Sequence, residues 1–303
     1  MKLKDIRKVL VVGGGTIGQQ IAFQCAAHGY AVTLFDISPD SLRAAKRRIR
    51  AYGDYLVAER HIKQETAEKA IEHIVPTSDP GQAAAEADLL SESVPEDPTL
   101  KGEVFAQFHR LCPSRTVFTT NTSLLVPSQF AKSTGRPERF LALHFHQPVW
   151  VGNLADVMPH SGTSPEVVSL VRDFAKSINQ IPLVLQKENY GYVFNAMYSG
   201  LNSAAIALAA NGVAAVEDID RAWMAVMKMS VGPLGMLDVV GLDTVWHVTD
   251  YWAKHIKDPQ TVKNAAFLKR EYLDKGWLGV KSGRGFYSYP HPAYQNPTFI
   301  HGE

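Results

Sequence analysis

The sequence predicts an α/β protein: a Rossmann-type doubly wound, mostly parallel sheet with a C-terminal all-helical domain. Three observations carry this. The apolar run at residues 9–12 feeds directly into Gly13-Gly14-Gly15-Thr16-Ile17-Gly18. Strand and helix patterns alternate through the first half, as parallel strands joined by crossover helices require. After Lys187 only helical spacing remains.

Three glycines at that spacing turn the chain sharply out of a strand, let the backbone approach a pyrophosphate, and pack the next helix on the sheet. That helix, read from Thr16 to His28, aims free N–H groups and the positive end of its dipole at phosphates. Gly29 closes it. Residues 32–35 read as the next strand, which puts Asp36 at its carboxyl end, placed to accept both hydroxyls of an adenosine ribose and opposed to a 2′-phosphate. The expected cofactor is therefore NAD, held by Gly13, Gly15, Thr16, Ile17, Gly18 and Asp36.

The helical stretch that follows is longer than a crossover needs, and a projecting helical hairpin is expected near 39–73. Further strands are expected at 89–94, 116–120, 141–145, 155–158 and 182–185, with helices at 103–111 and 165–177 between them. This gives a nucleotide-binding domain at 1–187 and a helical substrate and dimerisation domain at 188–303. In the latter, residues 192–210 place Val193, Phe194, Met197, Leu201, Ala205 and Leu208 at helical spacing. Gly232-Pro233 interrupts two helices, and Lys281-Ser282-Gly283-Arg284-Gly285-Phe286-Tyr287 is a Gly-rich turn.

Over 303 residues, 46% are hydrophobic and 20% charged, a globular composition with ample core material. The net charge of +1 supplies no global field for nucleic acid or an anionic membrane, and neither is expected as a partner. Two cysteines, Cys25 and Cys112, make no disulfide framework or metal spacing and favour a reducing compartment. No signal or transit segment is visible and no apolar stretch is long enough to span a bilayer, so a cytoplasmic location is expected.

Hydride transfer between an alcohol and NAD needs a base for the hydroxyl proton. The richest segment is Leu141-Ala142-Leu143-His144-Phe145-His146-Gln147-Pro148, at the carboxyl end of an expected strand, where ligands of such sheets bind. Asp156 follows on the next strand, and a carboxylate on one imidazole nitrogen fixes the tautomer and stabilises the imidazolium. His144 and His146 lie two apart on one strand face and so invite a metal. No third ligand stands at a familiar spacing, and no metal is expected.

The order of these motifs, with Val94-Pro95-Glu96, Lys101, Asn121-Thr122-Ser123, Asn189-Tyr190-Gly191-Tyr192-Val193-Phe194-Asn195, Gly232-Pro233 and the Lys281–Tyr287 turn, resembles the L-3-hydroxyacyl-CoA dehydrogenase family over nearly the whole chain. Within it, the approach to His144 is similar to the bacterial diketoreductase branch. The resemblance implies His144 as general acid/base, Asp156 as its carboxylate partner, and Ser123 and Asn195 as groups that bond the reacting oxygen or orient His144. It also implies Glu96 and Lys101 along the nicotinamide ribose, with Asn121 on the cofactor side. The implied activity is NAD-dependent interconversion of a short-chain L-3-hydroxyacyl-CoA and its 3-keto form, by a homodimer. Two alternatives stand beside it: an NADH-dependent diketoreductase acting on small keto or diketo esters, and a non-catalytic NAD-binding structural protein. Lys46, Arg47, Arg48, Arg50, Arg60 and Lys63 on the hairpin are the candidates for CoA phosphates. Two positions depart from the family pattern: Asp156 stands for the usual glutamate, and His146-Gln147 replaces an aromatic–Asn pair expected near the acyl pocket.

Overall fold

A computed structural model describes residues 1–302 and falls into two units, Met1–Val193 and a second that begins at Phe194. The first unit runs β1 (Lys8–Val12), α1 (Thr16–Ala27), β2 (Ala31–Phe35), α2 (Pro39–Ala58), α3 (Gln64–Glu72), β3 (Ile74–Thr77), α4 (Pro80–Ala84), β4 (Leu89–Glu92), α5 (Pro98–Leu111), β5 (Val117–Thr120), β6 (Phe140–Phe145), β7 (Leu154–Pro159), α6 (Pro165–Ser177) and β8 (Ile181–Val184). The strands form one sheet in the order β3-β2-β1-β4-β5-β6-β7-β8. All neighbours pair in parallel except β6 and β7, which are antiparallel.

Period-two alternation divides the core between the two faces of the sheet. Val9 and Val11 of β1 pack with Ile21, Phe23 and Leu34 on one side, while Leu10 and Val12 pack with Phe105, Phe108 and Phe118 on the other. A strand buried on both faces must read as a continuous apolar run, and this one does. Each such side chain contributes about 1.5–3 kcal/mol on full burial.

Two local expectations differ from the structure. The chain at 74–77, read from sequence as following directly on helix, is the edge strand β3. Its Pro76 removes a donor, which an edge tolerates. The hairpin of α2 and α3 does not project: Ala45, Ile49, Leu56, Ala67 and Ala70 are buried in one cluster with Phe23 of α1. At Gly53 an added Cβ would come within 3.3 Å of the Phe23 ring, so the close approach of α2 to α1 depends on that glycine.

The second unit is helical, with α7 (Phe194–Ala210), α8 (Val216–Met227), α9 (Pro233–Val240), α10 (Leu242–Ile256) and α11 (Pro259–Glu271). Tyr192, with φ +55°, stands outside α7, which therefore starts two residues later than the apolar spacing implies. Two buried carboxylates account for the glycine motifs of this unit. Asp220 accepts from the Leu234 and Gly235 N–H groups, both at 2.8 Å, and from the Tyr287 hydroxyl at 2.9 Å. Asp238 accepts from the Phe286 and Tyr287 N–H groups, both at 2.9 Å, and from the Tyr289 hydroxyl at 3.1 Å. A side chain at Gly285 would collide with the Asp238 carboxylate. Burial pushes both carboxyls up, against the hydrogen bonds that hold them down.

Candidate active site

The strand order reverses between β1 and β4, and a doubly wound sheet binds its ligand at that switch point, outside the carboxyl ends of the strands. Gly13 lies there with φ +111°, where an added Cβ would sit 2.6 Å from the Ser93 carbonyl oxygen. A Cβ on Gly18 would strike the Gly13 carbonyl. Among the described residues, chain neighbours aside, nothing lies within 4 Å of where a Cβ on Gly15 would be, so this is the open position of the turn. Gly15 also caps α1, and among the described residues no side-chain cap closes the helix start, where Thr16 and Ile17 stand. The turn and helix start thus fit a pyrophosphate. Asp36 Oδ2 accepts the Gly14 N–H and Oδ1 the Ser38 N–H, both at 2.9 Å, so the carboxylate is fixed beside the glycine turn.

At the carboxyl end of β6, His144 lies directly opposite Asp156 of β7 in the antiparallel ladder. Residues so paired share a face with Cβ atoms about 5 Å apart. The short aspartate therefore reaches: His144 Nδ1 is 3.1 Å from Asp156 Oδ2. His146, two residues on and on the same face, brings Nε2 to 2.9 Å from that same oxygen. His144 is 3% exposed and Asp156 0%. Burial works against the charged carboxylate, but the two imidazole N–H groups outweigh it and hold Asp156 below the usual carboxylate range. For His144 burial dominates and lowers its basicity, with the Asp156 hydrogen bond opposing.

With Nδ1–H committed to Asp156, His144 presents Nε2 as its basic atom, 3.1 Å from Ser123 Oγ. Tyr192 stacks on the imidazole face, centroids 4.6 Å apart and planes within 6°, and donates its hydroxyl to the Thr122 carbonyl at 2.6 Å. Sequence reading missed this residue because its spacing fits the apolar stripe of a helix. His146 likewise contacts the Asp156 carboxylate, where the family resemblance implies a place near the acyl pocket. The two ring nitrogens and the carboxylate oxygen lie within 4.8 Å of one another, so Asp156 is the third potential metal ligand that spacing alone does not reveal. Both nitrogens are aimed at Oδ2 itself, and the set is closed by hydrogen bonds.

The loop that carries Ser123 is held by Glu96. Its carboxylate accepts from the Ser123 N–H at 2.9 Å, the Leu124 N–H at 2.8 Å and the Thr122 hydroxyl. Lys101 is 3.2 Å from Glu96 and 2.8 Å from Glu92, with the Lys101 side chain 1% and the Glu92 side chain 0% exposed. Sequence spacing alone allows a solvated i,i+5 pair; the structure has a buried Lys101–Glu92 pair, with the solvent-reaching Glu96 as its third member. Burial raises Glu92, with Lys101 opposing. For Glu96 burial also pushes up, but Lys101 and the loop donors leave it below its ordinary value. Asn121 uses its side-chain oxygen to accept the Phe145 N–H at 2.8 Å, which ties the end of β5 to His144.

Asn195 is the second residue of α7, in the helical unit. Arg48 of the hairpin donates to the Gln19 side chain at 2.9 Å and to the Gly14 carbonyl at 3.4 Å, so this guanidinium belongs to the glycine turn and is not grouped with its basic neighbours.

The first unit matches the 3-hydroxyacyl-CoA dehydrogenase NAD binding domain over residues 8–189, and the second matches the C-terminal domain of the same family over 191–289. The chain is 31% identical to a probable 3-hydroxybutyryl-CoA dehydrogenase of Bacillus subtilis, covering 94% of this chain and 98% of that one. It is 32% identical to the mitochondrial hydroxyacyl-coenzyme A dehydrogenase of Rattus norvegicus, covering 94% and 91%. A solved diketoreductase, described as catalysing on dicarbonyl compounds, superposes with a TM-score of 0.87 at 41% identity, covering 94% of this chain and 99% of that one.

Proposed function

This chain belongs to the 3-hydroxyacyl-CoA dehydrogenase family, and we propose that it interconverts a short-chain L-3-hydroxyacyl-CoA and its 3-ketoacyl form, with His144 as the acid/base. It is an NAD-dependent oxidoreductase. The observation that carries the reading is the His144 ring, with Nδ1 on a buried carboxylate and basic Nε2 beside Ser123 Oγ.

NAD, when bound at Gly13, Gly15, Thr16, Ile17, Gly18 and Asp36, supplies the hydride acceptor or donor. In the oxidation direction His144 Nε2 takes the proton of the substrate hydroxyl, and Asp156 stabilises the imidazolium that results. In reduction the imidazolium returns that proton to the new hydroxyl oxygen. Ser123 Oγ, on a loop pinned by Glu96, orients Nε2 and hydrogen-bonds the reacting oxygen. Tyr192 limits rotation of the imidazole. Glu96 and Asn121 shape the cofactor side through the loops they fix, with Lys101 buried behind Glu96 as its counter-ion. The role of Asn195 rests on the family resemblance alone.

A homodimer formed through the helical unit is supported by its exposed apolar side chains, among them Met197, Val226, Val239 and Ile256. A reducing, cytoplasmic setting is supported by the free, buried Cys25 and Cys112. Among the described residues no helix is long and apolar enough to cross a membrane.

A second reading, reduction of small keto or diketo esters without CoA, is favoured by the 41% identity to the diketoreductase. One panel separates the two, read at the NADH absorbance band with acetoacetyl-CoA and an acetoacetate ester. If CoA is recognised, the thioester has much the larger kcat/KM, because remote binding energy positions the keto group. Neutralising Lys46, Arg47 and Arg50 together then erases most of that advantage. Equal kcat/KM for the two substrates, insensitive to those charges, overturns the CoA reading. In either case His144→Ala lowers kcat by about a hundred- to ten-thousand-fold with NADH binding retained. A variant that keeps its kcat overturns the acid/base assignment.

A further inference from the structure

We propose that His146 is a positioning residue of the acid/base pair: its hydrogen bond fixes the Asp156 carboxylate and draws charge from Oδ2, so that His144 gives up its proton more readily than it would from a His–Asp pair alone. The proposal rests on the reading of His144 as the acid/base.

Asp156 is fully buried, and its Oδ1 has no hydrogen-bond partner among the described residues. Both histidines therefore act on one oxygen, at 3.1 and 2.9 Å. A hydrogen bond that stabilises a carboxylate makes it a poorer acceptor for its other donor, and an imidazolium formed at His144 gains less from it. The placement of His146 is built into the backbone. Its N–H donates to the Leu154 carbonyl at 3.3 Å, which extends the β6 pairing with β7 by one residue and keeps the ring on the Asp156 face. The two imidazoles meet edge to face at 4.7 Å and 75°. The other groups around His144 are Ser123 after β5, Glu96 after β4 with Lys101 and Glu92 behind it, and Tyr192 before α7.

The test compares His146→Phe, which keeps a ring and loses the donor, with His146→Gln, whose amide N–H restores one. Two readouts are taken on the NAD-saturated protein: the pH dependence of kcat/KM for oxidation, and titration of the His144 ring resonances by NMR. In His146→Phe the acidic limb and the ring titration both move about half to one unit to higher pH, while His146→Gln stays near the wild type. Identical titrations in all three proteins overturn the proposal, even where activity falls, because packing alone then explains His146. Stoichiometric zinc in the purified wild type, lost in His146→Phe, overturns it in favour of a metal site. The ring titration is read without turnover, so it stands whether or not His144→Ala removes catalysis, and the two failures are told apart.

Discussion

Replacing Lys101 by Met tests the buried Lys101–Glu92 pair that stands behind Glu96 and the Ser123 loop. Lys101 Nζ sits 2.8 Å from Glu92 Oε1, and the two side chains are shielded from solvent. Breaking such a pair by removing one partner costs about 3–5 kcal/mol, because it strands the other charge. The first unit is of a size at which each kcal/mol moves Tm by about 2–4 °C, so a fall of about 6–20 °C is expected near pH 8. Glu92 is already raised by burial, with Lys101 opposing, and loss of Lys101 raises it further. A carboxyl raised on folding binds its proton more tightly in the folded state. The destabilisation is therefore full above the raised folded value and shrinks as pH falls through it. Urea unfolding of wild type and variant, at about pH 8 and about pH 5.5, reads the difference at each pH and cancels the titrations they share. Lys101→Met combined with Glu92→Gln removes the stranded charge and recovers most of the loss near pH 8. A penalty under about 1 kcal/mol, or one equal at both pH values, refutes the reasoning.

Cofactor choice rests on Asp36: the wild type prefers NADH over NADPH, and Asp36→Ala narrows that preference mainly through the cofactor KM, whereas equal kcat/KM for the two cofactors in the wild type removes the assignment. In the helical unit, Asp238→Ala leaves the Phe286 and Tyr287 N–H groups and the Tyr289 hydroxyl without this acceptor. It lowers stability by about 3 kcal/mol or more in urea unfolding, and a change below about 1 kcal/mol counts against the carboxylate as the clasp of the C-terminal turn.

Much of the first unit is legible because its signals are local. A buried parallel strand must be apolar throughout, a glycine turn must follow β1, and an acid at the end of β2 is one residue in one place. The edge strand β3 is not legible on those terms. It is short, carries Pro76, and is half covered, so it lacks the apolar run that marks β1. Tyr192 is concealed for a different reason. Its left-handed backbone breaks the helix, but a tyrosine at an apolar spacing looks like helix core.

Charge placement was the least legible feature, since burial is a property of the fold. Glu96 and Lys101 stand at a spacing that a solvated pair also uses. Only the packing of α5 against the sheet makes Lys101 the counter-ion of Glu92 and joins both to the Ser123 loop. Arg48 shows the converse: one of a run of basic residues, it is singled out because the α2–α1 contact brings it to Gly14.

The histidine segment lies between these cases. Its two-residue period puts His144 and His146 on one face from sequence alone, but what that face meets depends on the register of β7. The observed register sets Asp156 opposite His144 and Ala142 opposite Met158. A slip of one residue turns Asp156 to the other face of the sheet, leaving both imidazoles without their carboxylate and a charge in the apolar core. Val157, buried on that other face with Leu143 and Phe145, opposes such a slip. The apolar residues of β7 thus do more than fill the core: by fixing register they determine that one carboxylate oxygen serves two histidines, and the chemistry of His144 follows from that choice.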